Sequence, residues 1–219
     1  MANAVLSHSH SLKSPATPGA GLTIVIVSVV WCALVIRLGA GEVFVTPEGA
    51  PPLALLLALA IPVIAFLVAY RLSPSFHAFV LDADLQFMTA IQAWRTGGLG
   101  FLALYAYGIL PGGFAWPAGL GDMAIGVSAP WLLVALARRP GLVASRAFVA
   151  WQLFGILDLI VAVSLGAFGA RLLAVPDGAT AAMTYLPLVL VPAFLVPVFI
   201  ILHLAALFQA RRFAAEGRR

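Results

Sequence analysis

Three ionisable residues lie within stretches that are otherwise apolar, where a charged group needs a specific partner. Arg95 lies ten residues after Leu85, the first residue of one apolar stretch, and Asp158 lies eleven residues after Ala147, which begins another. A lone charge near the centre of a bilayer costs roughly 2.5–3.5 kcal/mol on insertion scales, and pairing lowers that cost. We therefore predict an Arg95–Asp158 ion pair, with Asp122 as the competing partner.

Each of these charges has a purely structural interpretation beside the functional one. Asp122 lies at the start of the predicted span 121–137, where an aspartate commonly accepts hydrogen bonds from the free backbone N–H groups as an N-cap. An Arg95–Asp158 pair could serve only to fix the register of two helices, and a buried ion pair is weak evidence for stability. An ionisable residue inside a membrane is otherwise typical of a ligand or ion site.

Two glutamines lie near the predicted pair in the sequence. Gln92 is three residues before Arg95, which places both side chains on one helical face. Gln152 is six residues before Asp158, a spacing that turns it away from the face of Asp158. We therefore include Gln92 in the predicted site and leave Gln152 out.

His203 is the polar residue of the last apolar stretch. A neutral histidine that hydrogen-bonds a neighbouring helix is the simplest interpretation. The more specific interpretation is that His203 is part of a proton relay or is a haem ligand. His77 is the only other candidate for a second haem ligand. We predict no cofactor. We also predict no metal site, because too few His, Asp and Glu residues lie at one depth for the three or four ligands that zinc requires.

The composition sets the elements that must position these side chains. Of the 219 residues, 63% are hydrophobic and 9% are charged, whereas a soluble domain has about 25% charged residues. In lipid the backbone must satisfy its own hydrogen bonds, so spans are helices or closed barrels. Long unbroken apolar runs favour helices over the alternating pattern of barrel strands. The fold class is therefore an all-α, polytopic transmembrane helical bundle.

Six stretches approach the roughly 20 residues needed to cross a bilayer. They cover residues 21–38, 52–70, 85–110, 121–137, 147–168 and 186–208. They form a transmembrane domain over 21–210, between a disordered tail, 1–20, and a basic tail, 211–219. The first stretch is too long for a typical signal peptide, which favours a retained span. The third is the least apolar, and a short interfacial helix is predicted before it, over 75–84.

The distribution of basic residues predicts the orientation. With the N-terminus inside, nine of the twelve basic residues lie on the cytoplasmic side, as the positive-inside rule requires. Both tails are then cytoplasmic. The net charge of +4 does not indicate a nucleic-acid partner, because the basic residues lie at the ends of spans and not along one soluble face.

Two further segments are distinctive. Gly119–Ser128 resembles Gly155–Ser164, since both begin Gly-x-x-Asp and end Val-Ser; a repeated helix unit and chance similarity both remain open. The uncharged linker Ile109–Gly121 contains two prolines and four glycines. We predict a tight interfacial turn there, with a re-entrant ligand loop as the alternative.

The stretch from Arg95 through LPGGFAWPAGLGD to Pro130, then WQLFGILD ending at Asp158, then Pro187–His203, resembles a group of small bacterial multi-pass membrane proteins without a characterised function. The resemblance covers roughly residues 85–205. It implies no activity, cofactor or catalytic residue. No Walker loop, nucleophile elbow or zincin motif occurs in the sequence.

From the sequence we expect a multi-pass protein of a bacterial inner membrane, with the lipid bilayer as its surroundings and a non-enzymatic role favoured. The expected function is that of a transporter-like or ligand-binding module. It would bind a small solute or lipid at an intramembrane site of Arg95, Asp158, Asp122, Gln92 and His203. The alternative is a membrane-embedded enzyme or redox subunit that uses Asp122, Asp158 and His203.

Overall fold

The computed structural model describes residues 18–47, 50–173 and 178–217, and this part of the chain is helical without strands. The helices are α1 (Pro18–Ala40), α2 (Leu53–Leu72), α3 (Pro74–Asp82), α4 (Leu85–Ile91), α5 (Leu99–Ala106), α6 (Gly112–Arg138), α7 (Arg146–Leu173) and α8 (Val196–Glu216). Short 3₁₀ segments occur at Gln92–Gly98, Pro140–Ala144 and Ala181–Thr184, and a π-helical turn, Val191–Leu195, leads into α8.

Five helices in the described ranges are long and apolar enough to cross a membrane: α1, α2, α6, α7 and the continuous segment Val191–Glu216. The all-α prediction is therefore confirmed. Five of the six predicted stretches correspond to these helices.

The third predicted stretch is not one α-helix but α4, the 3₁₀ segment and α5 in succession. Together they run antiparallel to α6 over most of its length. Leu85 packs against a cluster that contains Leu136 near one end of α6. Near the other end the Phe101 and Phe114 rings meet edge to face at 5.5 Å.

The predicted turn at Ile109–Gly121 is wrong, because α6 already begins at Gly112. The glycines there serve helix packing and not a loop. A Cβ on Gly119 would lie only 3.0 Å from the carbonyl oxygen of Gly98. Small residues at such positions allow two helix backbones to approach closely.

The ends of the chain also differ from the predicted tails. Residues 1–17 lie outside the described part, and α1 begins at Pro18 within the predicted 1–20 tail. The predicted 211–219 tail is largely a continuation of α8, which ends at Glu216. Arg212 pairs there with Asp82 at 2.8 Å and with Glu216 at 3.0 Å.

Helix α3 lies where the short helix over 75–84 was predicted. The Gln209 side chain of α8 donates hydrogen bonds to the carbonyls of Val80 and Ala83, both at 2.9 Å. This end of the bundle therefore holds α3, the C-terminal ends of α2, α6 and α8, and the start of α7. The helix ends that meet there carry Arg71, Arg138, Arg139, Arg146, Arg211 and Arg212.

Candidate ligand-binding site

Arg95 is the centre of a buried polar cluster. It lies in the 3₁₀ segment between α4 and α5 and is 1% exposed. The segment packs directly on α6, since a Cβ added to Gly126 would overlap the backbone nitrogen of Thr96. This close approach brings the Arg95 side chain between α6, α7 and α8, where its guanidinium carbon also lies 5.9 Å from the centre of the Phe199 ring.

The guanidinium of Arg95 binds both aspartates. Its Nε donates to Asp122 Oδ1 at 2.7 Å, and its Nη2 donates to Asp158 Oδ2. The predicted Arg95–Asp158 pair is thus present, and Asp122 shares the cation and does not compete for it. The N-cap interpretation of Asp122 is wrong, because Asp122 lies ten residues after Gly112, the first residue of α6.

His203 of α8 joins the cluster through both ring nitrogens. Arg95 Nη1 lies 3.1 Å from Nε2, and Gln152 Oε1 lies 2.5 Å from Nδ1. A guanidinium can only donate, so Nε2 accepts, and the histidine is neutral with its proton on Nδ1. The proton on Nδ1 is then donated to Gln152. This arrangement agrees with the neutral, hydrogen-bonded histidine that the sequence favours.

The structure joins Gln152 to the cluster and leaves Gln92 apart from Arg95, the reverse of what their spacing predicted. Gln152 is 2% exposed and binds His203, although it does not face Asp158. Gln92 is also 2% exposed, but its Oε1 has no hydrogen-bond partner among the described residues. It lines a narrow cleft with Thr89 and Gln152 and is not among the partners of Arg95.

Two glycines complete the cluster and were not predicted. The Gly155 carbonyl accepts from Arg95 Nη1 at 3.2 Å. A Cβ on Gly155 would overlap the His203 ring, and a Cβ on Gly121 would overlap the Asp158 carboxylate. The spacing of three residues from Gln152 to Gly155, and again from Gly155 to Asp158, was the signal that could have indicated neighbouring positions on α7 beside the cluster.

The similarity between Gly119–Ser128 and Gly155–Ser164 acquires a spatial meaning. Its two aspartates, Asp122 on α6 and Asp158 on α7, bind different nitrogens of the same guanidinium. Ser128 and Ser164 each donate to the carbonyl of the residue four positions earlier.

A cavity of about 450 Å³ lies beside the cluster. Its rim is formed by residues 45–47 and 50–52 between α1 and α2 and by residues 178–185, so it opens at the end of the bundle opposite α3. Deeper, its wall is mainly apolar and includes Phe101, Phe114, Leu159, Val163, Pro192 and Val196. Asp122 is the one charged residue among the described residues that line it, and its side chain is 14% exposed.

The described residues contain no group of three or more His, Cys, Asp or Glu side chains that could hold a metal ion. Fold and site together define an all-helical bundle of membrane-length helices with a buried Arg–Asp–Asp–His cluster beside a cavity. The chain belongs to the family described as Domain of unknown function (DUF8737), whose match covers residues 52–211 and hence the whole cluster. No curated protein and no solved structure matches the chain.

Proposed function

We propose that the protein crosses a bacterial inner membrane six times, with both ends of the chain on the cytoplasmic side. The five membrane-length helices support this placement. The α4–3₁₀–α5 segment supports a sixth crossing, because it accompanies α6 over most of its length. The basic residues at the end of the bundle that holds α3 support the orientation under the positive-inside rule.

Within that membrane the protein is a non-enzymatic, transporter-like or ligand-binding module, and the cavity beside Asp122 receives a small solute. The position of Asp122 is the observation that carries this function. It is a charged group inside an otherwise apolar cavity, and it is joined to Arg95. Ionisable residues at membrane depth that line a cavity typically mark solute sites, and apolar cavities with a few polar groups typically bind small molecules.

The alternative, an enzyme or redox subunit that uses Asp122, Asp158 and His203, has less support. Both ring nitrogens of His203 already have protein partners, Arg95 and Gln152. Binding of a haem iron would require His203 to release one of them. The two carboxylates share one guanidinium, an arrangement that holds three segments of the chain together.

Thiol labelling in intact cells tests the cavity and its orientation. Cys32 is the only cysteine in the sequence, so a Cys32→Ala background reports a single introduced thiol. The Ala162→Cys variant places that thiol on the cavity wall. The Ala144→Cys variant is the matched control, because Ala144 is exposed near the opposite end of the bundle. Membrane-impermeant methanethiosulfonates of both charges, trimethylammonium-ethyl (MTSET) and sulfonatoethyl (MTSES), serve as the reagents.

We expect at least one reagent to label Ala162→Cys in intact cells, and Ala144→Cys to react only after permeabilisation. Tetraphenylphosphonium and tetraphenylborate, which match in shape and differ in charge, then test occupancy. At least one of them should slow the labelling of Ala162→Cys. A thiol at residue 162 that neither reagent reaches, or one that neither ion protects, contradicts the proposed function.

A further inference from the structure

We infer that the solute is a monovalent organic cation and that its charged group binds Asp122. This inference rests on the proposed function and names the chemical class of its ligand. Its first basis is the charge of the cluster. Arg95 contributes one positive charge, Asp122 and Asp158 contribute two negative charges, and His203 is neutral because its Nε2 accepts from the guanidinium.

The cluster therefore carries one formal negative charge in excess, and the described residues around it supply no further cation. Asp158 is turned toward Gly121 and does not line the cavity. Asp122 does line it, and its Oδ1 binds Arg95 while its Oδ2 accepts no hydrogen bond from the described residues. The excess charge is thus accessible from the cavity at the Asp122 side chain, which is 14% exposed.

The rest of the cavity selects the chemical class of the cation. Phe101 and Phe114 line its wall, and Tyr185 lies near its rim. Aromatic faces attract organic cations, quaternary ammonium groups above all. A hard inorganic cation such as Ca²⁺ prefers six to eight oxygen ligands, whereas the wall near Asp122 is mainly apolar. A volume of about 450 Å³ is within the range of sites for small organic ligands.

Anions are disfavoured by the same geometry. Arg95 is the only cation of the cluster, but it is 1% exposed and does not line the cavity. Its Nε, Nη1 and Nη2 all have acceptors among the described residues. An anion in the cavity would meet the carboxylate of Asp122 and not the guanidinium behind it.

The charge preference of the Ala162→Cys thiol tests this inference. The rate with cationic MTSET is divided by the rate with anionic MTSES, and both are normalised to their rates with a free thiol in solution. We expect this ratio to be about tenfold or higher, because an electrostatic field in a cleft raises the local concentration of the opposite charge by 10-fold to 10³-fold. Asp122→Asn should lower the ratio toward one, and Asp122→Glu should preserve it.

Asp82→Asn is the matched control, because it removes an exposed carboxylate at the other end of the bundle. It should leave the ratio unchanged. With Asp122 intact, tetraphenylphosphonium should protect the thiol and tetraphenylborate should not, a readout that does not depend on the folding of any Asp122 variant. Equal rates for the two reagents, or protection by tetraphenylborate alone, would overturn the inference and leave the solute cavity standing. A thiol that neither reagent reaches overturns the proposed function itself.

Discussion

The first and last membrane-length helices have nearly the same hydropathy, but the first lies at the edge of the bundle and the last lies in its interior. In the most apolar stretch of α1, 6% of the residues are buried, whereas 44% are buried in the corresponding stretch of Val191–Glu216. This difference in burial matches the distribution of polar residues between the two helices. Helix α8 buries His203 and Gln209, while the described side chains of α1 contribute no buried polar or charged residue.

The hydropathy of a helix therefore indicates whether it is apolar enough for a membrane. It does not indicate whether the helix lies inside the bundle or at its edge. Polar groups inside a membrane face the bundle interior, because lipid offers them no partner. The family match agrees with this division, since it begins at residue 52 and does not include α1. The matched family domain thus contains the part of the chain that surrounds the Arg95 cluster.

Removal of Arg95 should have the largest effect. Arg95→Met leaves the carboxylates of Asp122 and Asp158 without a cation and removes the hydrogen bonds to the Gly155 carbonyl and His203. Breaking a buried ion pair in this way costs about 3–5 kcal/mol of unfolding free energy. The measurement is thermal unfolding in detergent, with Arg37→Met as the matched control, because Arg37 is exposed on α1.

A compensated variant sharpens this test. Adding Asp122→Asn and Asp158→Asn to Arg95→Met removes the uncompensated charges, and we expect it to restore part of the lost stability. If Arg95→Met unfolds at the same temperature as Arg37→Met, the cluster does not hold the interior helices together.

The close approach that positions Arg95 should give the next largest effect. In Gly126→Ala the added methyl overlaps the Thr96 backbone, which cannot move as a flexible side chain would. Overpacking of this kind costs about 1–3 kcal/mol. Gly100→Ala is the matched control, because nothing lies within 4 Å of a Cβ at Gly100. There the better helix propensity of alanine should add up to about 1 kcal/mol of stability.

Both substitutions are compared by thermal unfolding under identical detergent conditions. Opposite signs are the expected result. A Gly126→Ala protein as stable as Gly100→Ala would mean that the 3₁₀ segment does not rest on α6 as closely as the structure places it.

The sequence was sufficient to predict the pair at the centre of the site, because depth alone brought Arg95 and Asp158 together. It misled at Asp122, where glycines and prolines before a helix are typical of a turn in a soluble protein. In α6 these residues are helical, and Gly119 packs closely against Gly98. Helix packing through small residues is common in membranes, so the composition of Ile109–Gly121 fits both structures.

Other parts of the site depend on relations between helices that no single stretch records. Gln152 does not face Asp158. It binds His203 of α8, and His203 in turn binds Arg95, so that Gln152 is connected to the cluster through another helix. The cavity depends on loops whose positions have no periodic pattern, including residues 45–47, 50–52 and 178–185. Periodicity and depth predict which residues meet along helices, but not the space that the connecting loops enclose.

The smallest predicted effect tests the edge of the bundle, and it concerns two valines of α1. Val35 is 0% exposed and packs in a cluster with Phe44, Ala58 and Val189, whereas Val30 is 62% exposed. Lipid tails are as apolar as a valine side chain, so burial among helices in a membrane stabilises mainly through packing. Val35→Ala should therefore cost about 1 kcal/mol through lost contacts and a small cavity. Val30→Ala should change the unfolding free energy by less than about 0.5 kcal/mol, because its side chain is exposed and leaves no cavity when it is shortened. Thermal unfolding in the same detergent distinguishes the two substitutions. Equal losses at the two positions would mean that the exposed face of α1 is covered by another protein surface and is not at the edge of the bundle.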